Sequence, residues 1–96
     1  MFDKMKQLME LKRQAEQIKR ELEAAVIEIA EIPGIKIAVT GAQNFRSIEI
    51  AENLLRTDNK RRLEEDLVCS LNAAIKKSQA FAAQKMKDVM PGLPGL

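Results

Sequence analysis

The stretch IKIAVTGAQNFRSIEI, residues 35–50, decides the fold. Its opening alternates with period two, placing Ile35, Ile37 and Val39 on one face and Lys36 on the other. Its close alternates again, with Ile48 and Ile50 together and Ser47 and Glu49 opposite. Between the two runs, Gly41–Asn44 carries the residues of a tight turn. The reading is two antiparallel strands in a hairpin. Upstream, Val26–Ile32 is rich in isoleucine and reads as a first strand, joined to the second through Pro33–Gly34. Three short strands in chain order make an antiparallel meander.

On the N-terminal side the period changes. From Leu8 the apolar positions are Leu8, Leu11, Ala15, Ile18, Leu22 and Ala25, in steps of three and four, the mark of a helix with one narrow apolar stripe. No glycine or proline interrupts this run, and Glu, Gln, Lys, Arg, Leu and Met dominate it, all good helix formers. Consecutive three-residue steps from Met5 through Leu8 to Leu11 break the heptad and exclude a long coiled coil. With the stripe packed inward, the helix is an arm of roughly 33 Å at 1.5 Å per residue. On the C-terminal side a polar link, Ala51–Arg56, leads to Thr57 or Asp58 as a helix N-cap. A second long helix follows from Asn59 to about Val89, with Leu63, Leu67, Leu71, Ala74, Ile75, Ser78, Phe81, Ala82, Met86 and Val89 on its apolar face. Prolines at 91 and 94 stop it. The order is α-β-β-β-α, an α+β fold with a three-stranded antiparallel meander and two long helices. Residues 1–90 form a single domain, and 91–96 are expected to be a flexible Pro/Gly tail.

Composition removes most chemistry. The 96 residues hold 16 basic and 14 acidic side chains for a net charge of +2, with no histidine, one cysteine and three phenylalanines as the sole aromatics. Zinc sites, disulfide frameworks and histidine-based catalysis are therefore excluded. The four glycines, at 34, 41, 92 and 95, never cluster ahead of a helix as a phosphate-binding loop requires. Glu64, Glu65 and Asp66 lie in the first turns of the second helix beside Arg61 and Arg62, where acidic residues suit the helix dipole; they read as a solvated helix start. The expectation is a protein that is no enzyme, takes no cofactor and binds no small-molecule substrate. No run approaches the ~20 apolar residues of a membrane span, and the N-terminus has no signal-peptide core. With its free cysteine, the chain reads as cytoplasmic. So small a chain is marginal as a monomer, which favours a dimer.

Cys69 falls on the far side of the second helix from its apolar stripe, with Ala73, Ala80 and Ala83. It reads as a small residue on a second packing face or a plain surface, with no chemical role. The basic residues are more informative. Lys6, Arg13 and Arg20 recur every seven residues, so they form one row that drifts only ~20° per heptad, about 180° from the apolar stripe. Lys12 and Lys19 stand to one side of that row. Glu10 and Glu21 border one edge, and Glu16 and Glu23 the other, with Glu16–Arg20 an available ion pair. Such a row on a projecting arm suits phosphate contacts. Lys76, Lys77, Lys85 and Lys87 add a sparser group on the last helix.

Five segments stand in a telling order: MFDKM at the start running into MELKRQAEQ, the TGAQN turn at 40–44, RSIEI leading to NLL at 53–55, the helix start DNKRRLEEDLV, and KMKDVM before the Pro-Gly-Leu tail. In that order they resemble the YbaB/EbfC family of small bacterial nucleoid-associated DNA-binding proteins. The family's α-β-β-β-α order matches the one read from periodicity. The resemblance implies a homodimer whose sheets share a core and whose helices project as arms. It also implies binding to double-stranded DNA with little sequence preference, and a place in the nucleoid. Two features depart from the family pattern: a glycine-rich loop is shortened to Pro33–Gly34, and Ile50–Ala51–Glu52 stands where Ile-Asp-Pro is usual. The alternative is a helical-arm interaction or chaperone-type, prefoldin-like subunit, for which Met1, Phe2, Met5, Leu8 and Met9 would supply an apolar arm tip.

Overall fold

The computed structural model describes residues 2–89, apart from the side chain of Phe2; the tail expected at 91–96 lies outside them. The elements are α1 (Phe2–Ala24), β1 (Val26–Ile29), β2 (Ile35–Thr40), β3 (Phe45–Ile50) and α2 (Lys60–Val89), with 3₁₀ turns at Glu52–Leu54 and Thr57–Asn59. The sheet is the expected meander, order β1-β2-β3, both pairings antiparallel.

Register explains which side chains share a face. Ile27 and Ile29 partner Val39 and Ile37, while Ile50, Ile48 and Phe45 partner Ile35, Ile37 and Val39. Partnered residues point the same way, so one face of the sheet carries eight apolar side chains. Between Ala38–Ser47 and Val39–Phe45 the register shifts by one residue, leaving Arg46 as the extra residue of a bulge in β3. That bulge extends β3 one residue earlier than the alternation from Arg46 implies. β1 is shorter than expected, ending at Ile29, because the chain turns at Pro33–Gly34 and Ile35 N–H closes back on the Ile32 carbonyl (3.1 Å).

The hairpin turn follows from its residues. Gln43 N–H donates to the Thr40 carbonyl (3.0 Å), Gln43 takes φ 65°, and Thr40 N–H donates to the Asn44 carbonyl (2.8 Å). This is a type I turn closed by one left-handed residue. Asn44 N–H also donates to Thr40 Oγ1 (3.1 Å). Gly41 N–H reaches the Ala25 carbonyl (3.1 Å), tying the hairpin to the end of α1. A Cβ on Gly41 would come within 3.0 Å of the Leu22 carbonyl oxygen and 2.9 Å of the Phe81 ring. Glycine is what lets the hairpin sit between the two helices.

α2 crosses the apolar face over β1 and β2. Ser70, Ala74 and Ser78, all buried, recur every four residues, and these small side chains allow close approach to the sheet. Ser78 Oγ donates to the Thr40 carbonyl (2.7 Å), so the buried hydroxyl is satisfied. The core comprises Ile29, Ile35, Ile37, Val39 and Ala74, flanked by Ile27, Leu63, Leu67 and Leu71. The helix start differs from expectation. Thr57 and Asp58 are not the α2 N-cap but form a 3₁₀ turn with Asn59, and α2 begins at Lys60. Asn59 Nδ2 donates back to the Leu54 carbonyl (2.9 Å), tying this turn to the Glu52–Leu54 turn before it.

Candidate nucleic-acid interface

α1 is 23 residues long and mostly unsupported. Ile18 is buried and Leu22 half-buried where they meet the body, but Leu8 (66% exposed) and Leu11 (50%) are open, as is Ala15. The inward stripe expected from periodicity thus packs only over its last two turns. The reason is geometric. α1 and α2 run antiparallel, with Gly41 between Leu22 and Phe81 and Lys85 Nζ 3.2 Å from Glu21 Oε2, so α2 ends at Val89 beside residue 17. Earlier α1 residues extend past it. The described residues span 68 × 21 × 16 Å with a radius of gyration of 18.5 Å, against about 12 Å for a compact chain of this length.

On that arm Lys6, Lys12, Arg13, Lys19 and Arg20 are all exposed. At about 100° per residue, Arg20 lies some 160° around the helix from the buried Ile18, so the Lys6/Arg13/Arg20 row turns away from the body. Arg13 Nη2 donates to Glu10 Oε2 at 2.7 Å, both side chains being well exposed. No ion pair joins Glu16 to Arg20 among the described residues; the intrahelical pair on this arm is Glu10–Arg13.

The lysines of α2 do not form one face. Lys76 and Lys87 share the side of the helix that also carries Cys69, opposite the sheet, whereas Lys77 is displaced toward β1. Lys76, Lys77 and Asn72 line a shallow groove of about 540 Å³ floored by Ala73 and Ala80 and edged by Glu31 and Cys69. Cys69 is free and exposed there, so the second packing face expected around it is open surface in the protomer. Lys85 is half-buried in its bridge to Glu21, where it braces α1 against α2.

The cations at the start of α2 are different. Lys60–Glu64 (2.6 Å), Arg61–Glu65 (3.7 Å) and Arg62–Asp66 (3.7 Å) are i,i+4 pairs, and Arg56 meets Asp58 at 2.7 Å. Each cation here has an acid beside it, and the Glu64/Glu65/Asp66 cluster is the solvated helix start read from sequence. No described helix is long and apolar enough to cross a membrane.

A model of the YbaB/EbfC DNA-binding family matches residues 1–93, both helices and the whole meander. The chain belongs to this family. A nucleoid-associated protein of Dictyoglomus turgidum is 30% identical over 94 residues, covering 97% of this chain and 90% of that protein. A nucleoid-associated protein of Chloroflexus aurantiacus is 28% identical over 93 residues, covering 96% and 93%. YbaB/EbfC is a DNA-binding family and not an enzyme family.

One further surface is apolar rather than charged. α2 covers β1 and β2 but not β3, so Ile48 (47% exposed) and Phe45 (44%) stand open on the same face as the core. The groove edged by Glu31 marks the β1 flank of α2; the opposite flank, toward β3, carries Val68, Leu71 and Ile75, of which Val68 is 58% exposed. The signal was present in the width of the sheet: one helix about 10 Å across cannot cover three strands spaced 4.8 Å apart with their side chains.

Proposed function

We propose that the protein is a homodimeric, nucleoid-associated DNA-binding protein that holds double-stranded DNA through phosphate contacts, with little sequence preference. The observation that carries this reading is the Lys6/Arg13/Arg20 row, exposed along one side of an arm in a chain of the YbaB/EbfC DNA-binding family. Lys12 and Lys19 add contacts from the flank of α1, and Lys76, Lys77 and Lys87 from α2. Lys85 contributes least, since its charge is engaged by Glu21.

A dimer supports this role in two ways. The apolar surface of Phe45, Ile48 and Val68 is continuous with the core, and a second copy related by a two-fold axis would cover it and shield the β3 edge. Two-fold symmetry also doubles each phosphate contact. That matters because a dimer carries only 2 × (+2) = +4, a weak global field for a sequence-independent binder. Affinity then rests on local rows, and the bordering glutamates hold it down. The low aromatic content leaves no stacking platform, and phosphate contacts carry no sequence information by themselves. The nucleoid is the location this activity implies, in line with the names of the relatives.

Fluorescence anisotropy with a random-sequence duplex, competed by unrelated duplexes and by single strands, tests the reading. Duplex binding that all duplexes compete equally is expected. Absence of duplex binding would overturn it and return the exposed arm to the protein-interaction alternative.

A further inference from the structure

Among the described residues, one ion pair joins α1 to another element: Glu21 Oε2 lies 3.2 Å from Lys85 Nζ of α2. We propose that Glu21 and Lys85 are positioning residues for DNA binding, an inference that rests on the arm row as the phosphate-binding element. Their pair sets the direction of the arm, and it acts on DNA through that direction rather than through a phosphate contact of its own. Glu21 is thereby the exception among the glutamates that border the row.

The footing of the arm is short and narrow. Ile18 is buried and Leu22 half-buried, and before Ile18 the side chains of residues 3–17 are exposed apart from half-buried Gln14. At 100° per residue Leu22 sits about 40° to one side of Ile18. Two such contacts make a line along the helix, which resists separation but does little against rolling or tilting. Glu21 sits about 60° to the other side, so its bond to Lys85 adds a third point off that line. Leverage makes that point matter. Lys6 is twelve residues from Ile18, about 18 Å along the helix, so a tilt of about 10° carries it about 3 Å. That is the length of a charge-assisted hydrogen bond to phosphate.

Charge placement favours this pairing. The last turn of α1 holds Glu21 and Glu23 and no basic residue, although the helix dipole favours cations there, and Lys85 supplies one from α2. On its own helix Lys85 has Asp88 three residues on, but Asp88 accepts from Gln84 Nε2 (3.0 Å). The two paired side chains are only partly covered, at 34% and 40% exposed, so salt screens the pair and loosens the arm.

Pulsed electron–electron double resonance tests the brace, with spin labels at Gln7→Cys and Gln79→Cys in a Cys69→Ser background diluted with unlabelled chain. Both sites are exposed and stand about 30 Å apart along the helix pair. A single narrow distance distribution is expected with the pair intact, a broader one in Lys85→Met and in Glu21→Gln, and a narrow one again in Lys85→Arg. An equally narrow distribution in Lys85→Met and Glu21→Gln would overturn the proposal whether or not the protein binds DNA. Duplex anisotropy supplies the second readout. Glu21→Gln should weaken binding severalfold although it removes a negative charge, and Lys85→Met should weaken it with the salt slope unchanged. Tighter binding in Glu21→Gln, or a slope in Lys85→Met flattened by about 0.9 for each lost contact, would overturn the positioning role. A wild type that binds no duplex would overturn the DNA reading and the positioning role with it, while the distance distributions still report the brace.

Discussion

Replacing Ile48 with lysine separates the proposed dimer surface from the core. In the protomer Ile48 is 47% exposed although it partners Ile37, which is 0% exposed. Full burial of an isoleucine side chain is worth about 1.5–3 kcal/mol, so covering the exposed half in a dimer contributes about 1 kcal/mol per subunit. Two-fold symmetry makes that about 2 kcal/mol for the pair, roughly 30-fold in dissociation constant. Lysine removes this contribution and adds the cost of desolvating two like charges near the axis, which is larger still. In the isolated protomer the same lysine is tolerable, because its ammonium can reach water from a half-open position.

Ile48→Lys should therefore give a folded monomer: helical circular dichroism retained, and sedimentation equilibrium at micromolar concentration showing the mass of one chain. Ile37→Lys buries an unpaired charge and should unfold the protein instead. Leu8→Lys, on the arm, should leave the dimer intact. A wild-type protein that sediments as a monomer, or an Ile48→Lys variant with an unchanged dimer dissociation constant, would refute the reasoning.

Ser78→Ala removes the 2.7 Å bond to the Thr40 carbonyl, but that oxygen still accepts from Gln43 N–H, so the cost should be only about 0.5–1.5 kcal/mol in urea denaturation; a loss above about 3 kcal/mol would mean the hydroxyl has a further partner. Cys69→Ser, at an exposed position, should change stability by no more than about 0.5 kcal/mol and leave DNA binding as it was, measured by denaturation and anisotropy. Glu10→Gln frees Arg13 from its 2.7 Å pair and removes a carboxylate beside the row, so duplex affinity should rise in low-salt titrations. A fall there would place Glu10 in the role of holding Arg13 in its binding pose.

The meander was legible because its period-two runs share one face: Ile35, Ile37 and Val39 are all buried there, and Ile50, Ile48 and Phe45 partner them although β3 itself stays mostly exposed. β1 was harder to bound, since its pairing ends at Ile29 while the isoleucines continue to Ile32. α1 shows where periodicity stops being informative. It reports a helix with an apolar side, and it does so equally for Ile18, which is covered, and Leu8, which is not. What covers a stripe depends on where the neighbouring helix ends, a tertiary fact. The Thr57/Asp58 expectation failed for a similar reason: capping chemistry was present, but both residues sit inside a 3₁₀ turn closed by the Asn59 N–H on the Arg56 carbonyl, and α2 starts after it. At the candidate interface, helical arithmetic set the Lys6/Arg13/Arg20 row away from Ile18, and all three side chains are exposed. It could not show that Lys85 would be engaged by Glu21 from another helix, or that Arg13 would choose Glu10.

Whether the arm row contacts phosphate is tested most directly by the salt dependence of duplex binding. Each phosphate contact contributes about 0.9 to the slope of log K against log salt on B-DNA. Lys6→Gln, Arg13→Gln and Arg20→Gln together remove up to six contacts from a dimer, a flattening of up to about 5 units. Weaker binding and a flatter slope are expected in this triple variant, with mass and helical content unchanged from the wild type. A folded triple variant with wild-type affinity and wild-type slope would contradict phosphate contact by the row.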